Sequence, residues 1–198
     1  MNYLAHAYLS FSHPGILVGN MISDFVKGKQ RFAYPPDIQK GITLHRAIDQ
    51  FTDQHPATKT AKEVFRPSYR LYSAAFVDVV YDHFLAIDNQ HFPEETRLLD
   101  FTSQVYNQLH DHRPHFPAPF DMMFPFMREQ NWLYNYRHAW GMEKSFKGLV
   151  RRARHLTESD TAFALFQSHY DVLKESYTTF FPELLSFAEK EYKAIIND

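Results

Sequence analysis

Apolar side chains along the 198-residue chain recur at steps of three and four, with almost no strict alternation, which is the period of helices rather than strands. In "IQKGITLHRAIDQFT", Ile38, Ile42, Ile48 and Phe51 follow one another at steps of four, six and three. The spacing predicts helices over residues 2–12, 15–27, 37–54, 57–65, 68–87, 95–110, 119–138, 142–155 and 159–193. Pro14, Pro35, Pro36, Pro56, Pro67, Pro93 and Pro114 mark breaks, because proline begins or ends a helix. Pro182 predicts a bend or break in the last segment, and the proline-rich "HDHRPHFPAPFDMMFPF" from His110 to Phe126 reads as a packed loop or lid. With no internal repeat and no Gly/Ser-rich linker, the expected architecture is all-α: a single-domain multi-helix bundle over residues 1–198.

Composition sharpens this picture. Nineteen Phe and twelve Tyr predict a core thick with rings. The absence of cysteine removes disulfides, thiolate metal sites and a Cys nucleophile together. A start without a basic n-region, and no run of about 18 apolar residues, predict a soluble cytoplasmic protein without a membrane span. A formal net charge of -2 gives no global pull toward nucleic acid. Two local basic clusters stand out: Lys27, Lys29 and Arg31, and Arg151, Arg152 and Arg154. Each reads as solvated surface, or as a patch for an acidic partner. P-loop, dinucleotide and serine-hydrolase motifs are missing from the sequence.

The candidate chemistry lies in polar pairs set among apolar neighbours. On a helix, residues four apart share a face, so two side chains at that spacing can converge on one ion. Asn2 and His6, Asn20 and Asp24, His45 and Asp49 (continuing to Asp53), and Asp78 and Asp82 with His83 adjacent are such pairs on four predicted helices. Asn2 also reads as a cap, Asp53 as a surface residue, and the Asp78–Asp82–His83 group as an ion-pair cluster with Arg46. A buried carboxylate needs a partner of one kind or another. Imidazole and carboxylate without thiolate suit manganese, iron, zinc or magnesium in a partly open site, and metal-assisted phosphoester hydrolysis is the natural reaction class. Arg46 and Lys27 are placed to clamp phosphate oxygens. The histidines of 110–115 read as solvent-facing, and Trp132, Tyr134 and Tyr136 as core.

The segments "MNYLAHAYLS", "GNMISDFVKG", "PPDIQKGITLHRAIDQFTD", "VVYDHFLA", "NWLYNYR" and "HYDVLKESYTTFFP" stand in the order and near the spacing of the bacterial acyl carrier protein phosphodiesterases, which the chain resembles from residue 1 to about 190. The resemblance implies an all-helical fold like that of the HD-type metal-dependent phosphohydrolases. It also implies hydrolysis of holo-acyl carrier protein to the apo-protein and 4'-phosphopantetheine, with manganese the favoured ion. Here the pair reads Asp82-His83 rather than His-Asp, so ligands do not transfer in order. The resemblance puts Asp24, His45, Asp82 and His83 at the metal, and His6, Asp49 and Asp78 beside it as further ligands, orienting groups or proton carriers. Arg46 is expected on an equatorial phosphoryl oxygen and His6 as the acid for the leaving serine oxygen. Asn20, Lys27, Lys29 and Arg31 are expected to meet the substrate, the three cations forming a rim for an acidic carrier protein. Two other readings are open at this level: a phosphohydrolase of nucleotides or other small phosphoesters, and a non-catalytic helical binding protein.

Overall fold

A computed structural model describes residues 1–197, and all regular structure among them is helical. The α-helices are α1 (Tyr3–Tyr8), α2 (Pro14–Ile22), α3 (Pro36–Gln54), α4 (Pro56–Tyr69), α5 (Ser73–Ala86), α6 (Glu95–Asp111), α7 (Ala118–Glu129), α8 (Trp132–Asn135), α9 (Ala139–Arg152), α10 (Asp160–Ser168) and α11 (Tyr170–Asn197). Single 3-10 turns at Ser23–Phe25, Gly28–Ala33, Arg70–Tyr72 and Arg113–His115 link several of them. Among the described residues no helix is long and apolar enough to cross a membrane.

Proline sets several of the starts. Pro14, Pro36 and Pro56 sit in the first turn of α2, α3 and α4, where the missing N–H has no intrahelical partner to lose. Pro67, Pro125 and Pro182 instead lie inside α4, α7 and α11. The break expected at Pro182 is therefore not there: α11 runs through it, with Tyr177, Phe180, Phe181 and Leu184 buried on either side. Tertiary packing outweighs the lost hydrogen bond. The predicted helix 159–193 divides earlier, at His169, between α10 and α11. The predicted 119–138 likewise divides at Asn131, whose backbone is left-handed (φ 45°, ψ 58°). The 110–126 segment is a 3-10 turn followed by α7, so most of the expected loop is helix.

α5 is the buried axis, from Phe76 to Ala86 almost wholly out of solvent. It packs against α1, α4, α9 and α11, and rings fill the space around it. Tyr81 stacks on Phe180 with centroids 4.9 Å apart, and Phe65 on Phe76 at 5.6 Å. α2 and α3 approach unusually closely through glycine. A Cβ on Gly19 would lie 2.1 Å from the Ile38 carbonyl oxygen, and one on Gly41 would lie 2.3 Å from that of Ile16. No alanine fits there without moving a helix.

Candidate metal centre

α1 carries His6, α2 carries Asn20, and α3 carries His45 and Asp49 one turn apart. The close α2–α3 contact brings the Asn20 backbone oxygen within 2.8 Å of His45 Nδ1, while the Asn20 side-chain oxygen lies 2.8 Å from His6 Nδ1. Both oxygens can only accept, so both imidazoles donate from Nδ1 and turn Nε2 inward. Asn20 is itself held: its amide nitrogen donates to the His6 carbonyl at 3.0 Å and to Ser10 Oγ at 3.1 Å.

The two rings stack, with centroids 4.0 Å apart and an interplanar angle of 17°. Both Nε2 atoms face Asp49, His6 at 3.2 Å from Oδ1 and His45 at 3.1 Å from Oδ2. Asp24, from the 3-10 turn after α2, completes the group with Oδ1 3.2 Å from His45 Nε2. The side chains of His6 and His45 are only 3% and 6% exposed, whereas Asp24 is 68% exposed and marks the mouth of the site.

A neutral Nε2 facing a carboxylate oxygen is repelled by it unless a cation, a proton or a metal ion, lies between the two. Burial and the facing His45 push the His6 pKa down to about 4, despite Asp49 beside it, so His6 is neutral. Its Nε2, though near Asp49, is not aligned with the carboxylate and is a buried nitrogen without a hydrogen-bond partner. For His45 burial also opposes the charge, but hydrogen bonds to Asp24 and Asp49 prevail and raise its pKa to about 9. The Asp24 carboxyl is held low by its hydrogen bond to His45, against burial. Burial opposes the charge of Asp49 too, but the two histidines and the Met1 amine outweigh it and drive that carboxyl far below its ordinary range.

One ligand atom from each of His6, His45 and Asp49 can be chosen so that all lie within 4.8 Å of one another. Donors on one divalent ion, with bonds of about 2.1 Å, sit roughly 3 Å apart when adjacent, which is the spacing of the Asp49 oxygens from the two Nε2 atoms. The donor set and the unpartnered His6 nitrogen thus fit a divalent metal.

The other expected residues have different surroundings. Asp82 is fully buried on α5, and its two oxygens accept from the backbone N–H of Leu4 at 2.7 Å and Ala5 at 3.1 Å. It supplies from α5 the cap that Asn2 leaves unmade at the start of α1. Burial pushes its pKa up to about 7, the two backbone bonds opposing. His83 has both nitrogens engaged, Nδ1 with the Tyr136 carbonyl at 2.7 Å and Nε2 with the Tyr170 hydroxyl at 3.0 Å, inside a cage of rings that includes Phe166. Neither residue is part of the group of side chains that can share one ion with His6, His45 and Asp49.

Asp78 is an ion-pair partner of the Met1 amine at 3.0 Å, and the same amine lies 3.4 Å from Asp49 Oδ1. Arg46 is exposed and donates to the Val26 carbonyl at 3.1 Å, so it braces the segment after Asp24. Lys27 and Lys29 are exposed and Arg31 half-buried in that same segment. Asn20, expected to meet substrate, is wholly buried behind the histidines. Ser10 and the Met1 amine were not singled out by the sequence. Ser10 stands four residues after His6, the spacing that found the other pairs, and its hydroxyl donates to the His6 carbonyl at 2.7 Å.

Comparison with known proteins agrees over nearly the whole length. The family model described as acyl carrier protein phosphodiesterase matches residues 1–184. Among curated relatives, the acyl carrier protein phosphodiesterase of Yersinia pestis is 33% identical over 96% of this chain and 98% of its own. That of Enterobacter sp. (strain 638) is 32% identical over 96% and 99%, and that of Photorhabdus laumondii 30% over 96% and 96%. No solved structure matches the chain. Matched in family model and in relatives from end to end, the chain belongs to the acyl carrier protein phosphodiesterase family.

Proposed function

We propose that this protein hydrolyses the phosphodiester of holo-acyl carrier protein, releasing 4'-phosphopantetheine and the apo-protein, with a divalent metal held by His6, His45 and Asp49. The relatives' shared name supports the substrate. The observation that carries the site is the pair of stacked imidazoles, both held by Asn20 at Nδ1 and both aiming Nε2 at one carboxylate. Two histidines and carboxylates without thiolate suit manganese, with iron, zinc and magnesium as the other ions of matching chemistry.

A bound divalent ion supplies polarisation of a phosphoryl oxygen and acidification of water. The chain supplies the rest. Asn20 fixes the ring orientation of both ligands, so neither has to reorganise when the ion arrives. Asp49, partly exposed beside the two buried histidines, would neutralise part of the ion's charge. Asp24, a carboxylate at the exposed mouth of the site, would take the proton of the attacking water. The exposed mouth suits a substrate whose prosthetic arm enters while its protein stays outside. Lys27, Lys29 and Arg31 lie beside that mouth in sequence and steer an acidic carrier toward it.

The test is the intact mass of holo-acyl carrier protein after incubation with metal-stripped protein, with and without added manganese. Loss of the 4'-phosphopantetheine mass only with manganese is the expected result. Loss without any metal would overturn the metal role, and no loss in either case would overturn the substrate.

A further inference from the structure

The segment from Lys27 to Ala33 has an unusual combination of order and exposure. None of the residues in its 3-10 turn, Gly28–Ala33, is buried, so the turn owes nothing to core packing. It is nevertheless tied at three points. Arg46 donates to the Val26 carbonyl at 3.1 Å, the Lys27 N–H donates to Gln30 Oε1 at 2.9 Å, and Gln39 donates to the Tyr34 carbonyl at 2.7 Å. Gly28 allows the turn with a positive φ of 53°. The chain thus holds a fixed shape in a stretch that buries nothing of its own.

What the turn displays is an aromatic among cations. Phe32 is 61% exposed, and the Arg31 guanidinium lies 4.7 Å from its ring centre. Lys27 and Lys29 precede the pair in the same segment, and residues 25–36 contain no acid. Among the described residues, none of these three cations has a carboxylate within ion-pair distance, unlike Lys62 with Asp53 or Arg137 with Glu95. An exposed aromatic with one cation over its ring and two more in the same segment, on a preorganised turn, has the make-up of an interface anchor for an acidic surface.

We infer that this turn is the docking ledge for the acidic carrier protein, with Phe32 as its apolar anchor and Lys27, Lys29 and Arg31 as its charged rim. The inference rests on the carrier-protein reading of the site and adds to it a residue outside the reaction chemistry. Three lysine and arginine side chains alone would steer encounter and speed association. A desolvated ring adds lifetime to the complex, since truncation of a well-placed aromatic anchor acts mainly on dissociation.

The experiment is steady-state kinetics of Phe32→Ser and the native protein on holo-acyl carrier protein, both manganese-loaded, with thermal melts of each. The expected result is a KM raised about tenfold, as for loss of an interface anchor, with kcat within about twofold and an unchanged melting temperature. An unchanged KM overturns the inference and leaves the function intact. A raised KM accompanied by a lowered melting temperature assigns Phe32 a structural role and also overturns it. Failure of the native protein to act on the carrier removes the function reading, and the ledge with it.

Discussion

Asn20 does more for the site than any ligand. One buried residue uses its side chain on His6 and its backbone on His45, so the two tautomers are set by separable contacts. In Asn20→Ala the His6 contact is lost while the backbone contact to His45 remains. Manganese affinity should fall roughly 10–100-fold, the usual cost of removing a ligand's orienting partner, as read by calorimetric titration; unchanged affinity would count against His6 as a ligand. His45 links the site to pH. In metal-free protein its pKa is about 9 against an ordinary value of about 6.5. Its charged pairing with Asp24 and Asp49 therefore stabilises the fold fully below pH ~6.5, and that contribution disappears as pH rises through about 9. Because manganese must displace the same proton, apparent affinity should rise about tenfold per pH unit between ~6.5 and ~8.5. Titrations at three pH values in that window check it, and a flat profile would contradict it.

At the scale of elements, the site depends on how closely α2 and α3 approach. The 2.8 Å bond from His45 to the Asn20 backbone exists because Gly19 and Gly41 leave no Cβ between the helices. Gly41→Ala should destabilise the protein by about 1–3 kcal/mol through overpacking and weaken manganese binding as well, although residue 41 brings no side chain to the site. Melting and metal titration of the same sample check both. α5 illustrates what sequence spacing leaves out. Asp78, Asp82 and His83 have the i, i+4 pattern of a metal site, yet Asp82 caps α1 and His83 bridges Tyr136 to Tyr170. Spacing places side chains on a face of a helix; it says nothing of which neighbour that face meets. His45 and Asp49 have the same spacing and do converge on His6, because Asn20 of α2 holds both histidines toward one another there. Helix starts were legible through Pro14, Pro36 and Pro56, whose local chemistry decides them. The break open to Pro182 does not occur, because the packing of Phe180 and Phe181 holds the helix through it.

For the whole molecule, the helical period and the ring-rich composition were enough to predict an all-α fold around an aromatic core. Asp24, His45, His6 and Asp49 were legible as candidates, since polar groups in apolar company need partners, and the structure brings these four side chains together. Their division of labour was not, because tautomers and burial arise only when three helices are assembled. The central claim is that His6, His45 and Asp49 enclose a divalent ion. The direct measurement is anomalous diffraction at the manganese edge from crystals grown with manganese chloride. The predicted result is a single strong peak about 2.0–2.3 Å from both Nε2 atoms and an Asp49 oxygen. A peak coordinated elsewhere, or none with the three side chains still facing one another at the distances seen here, would contradict it.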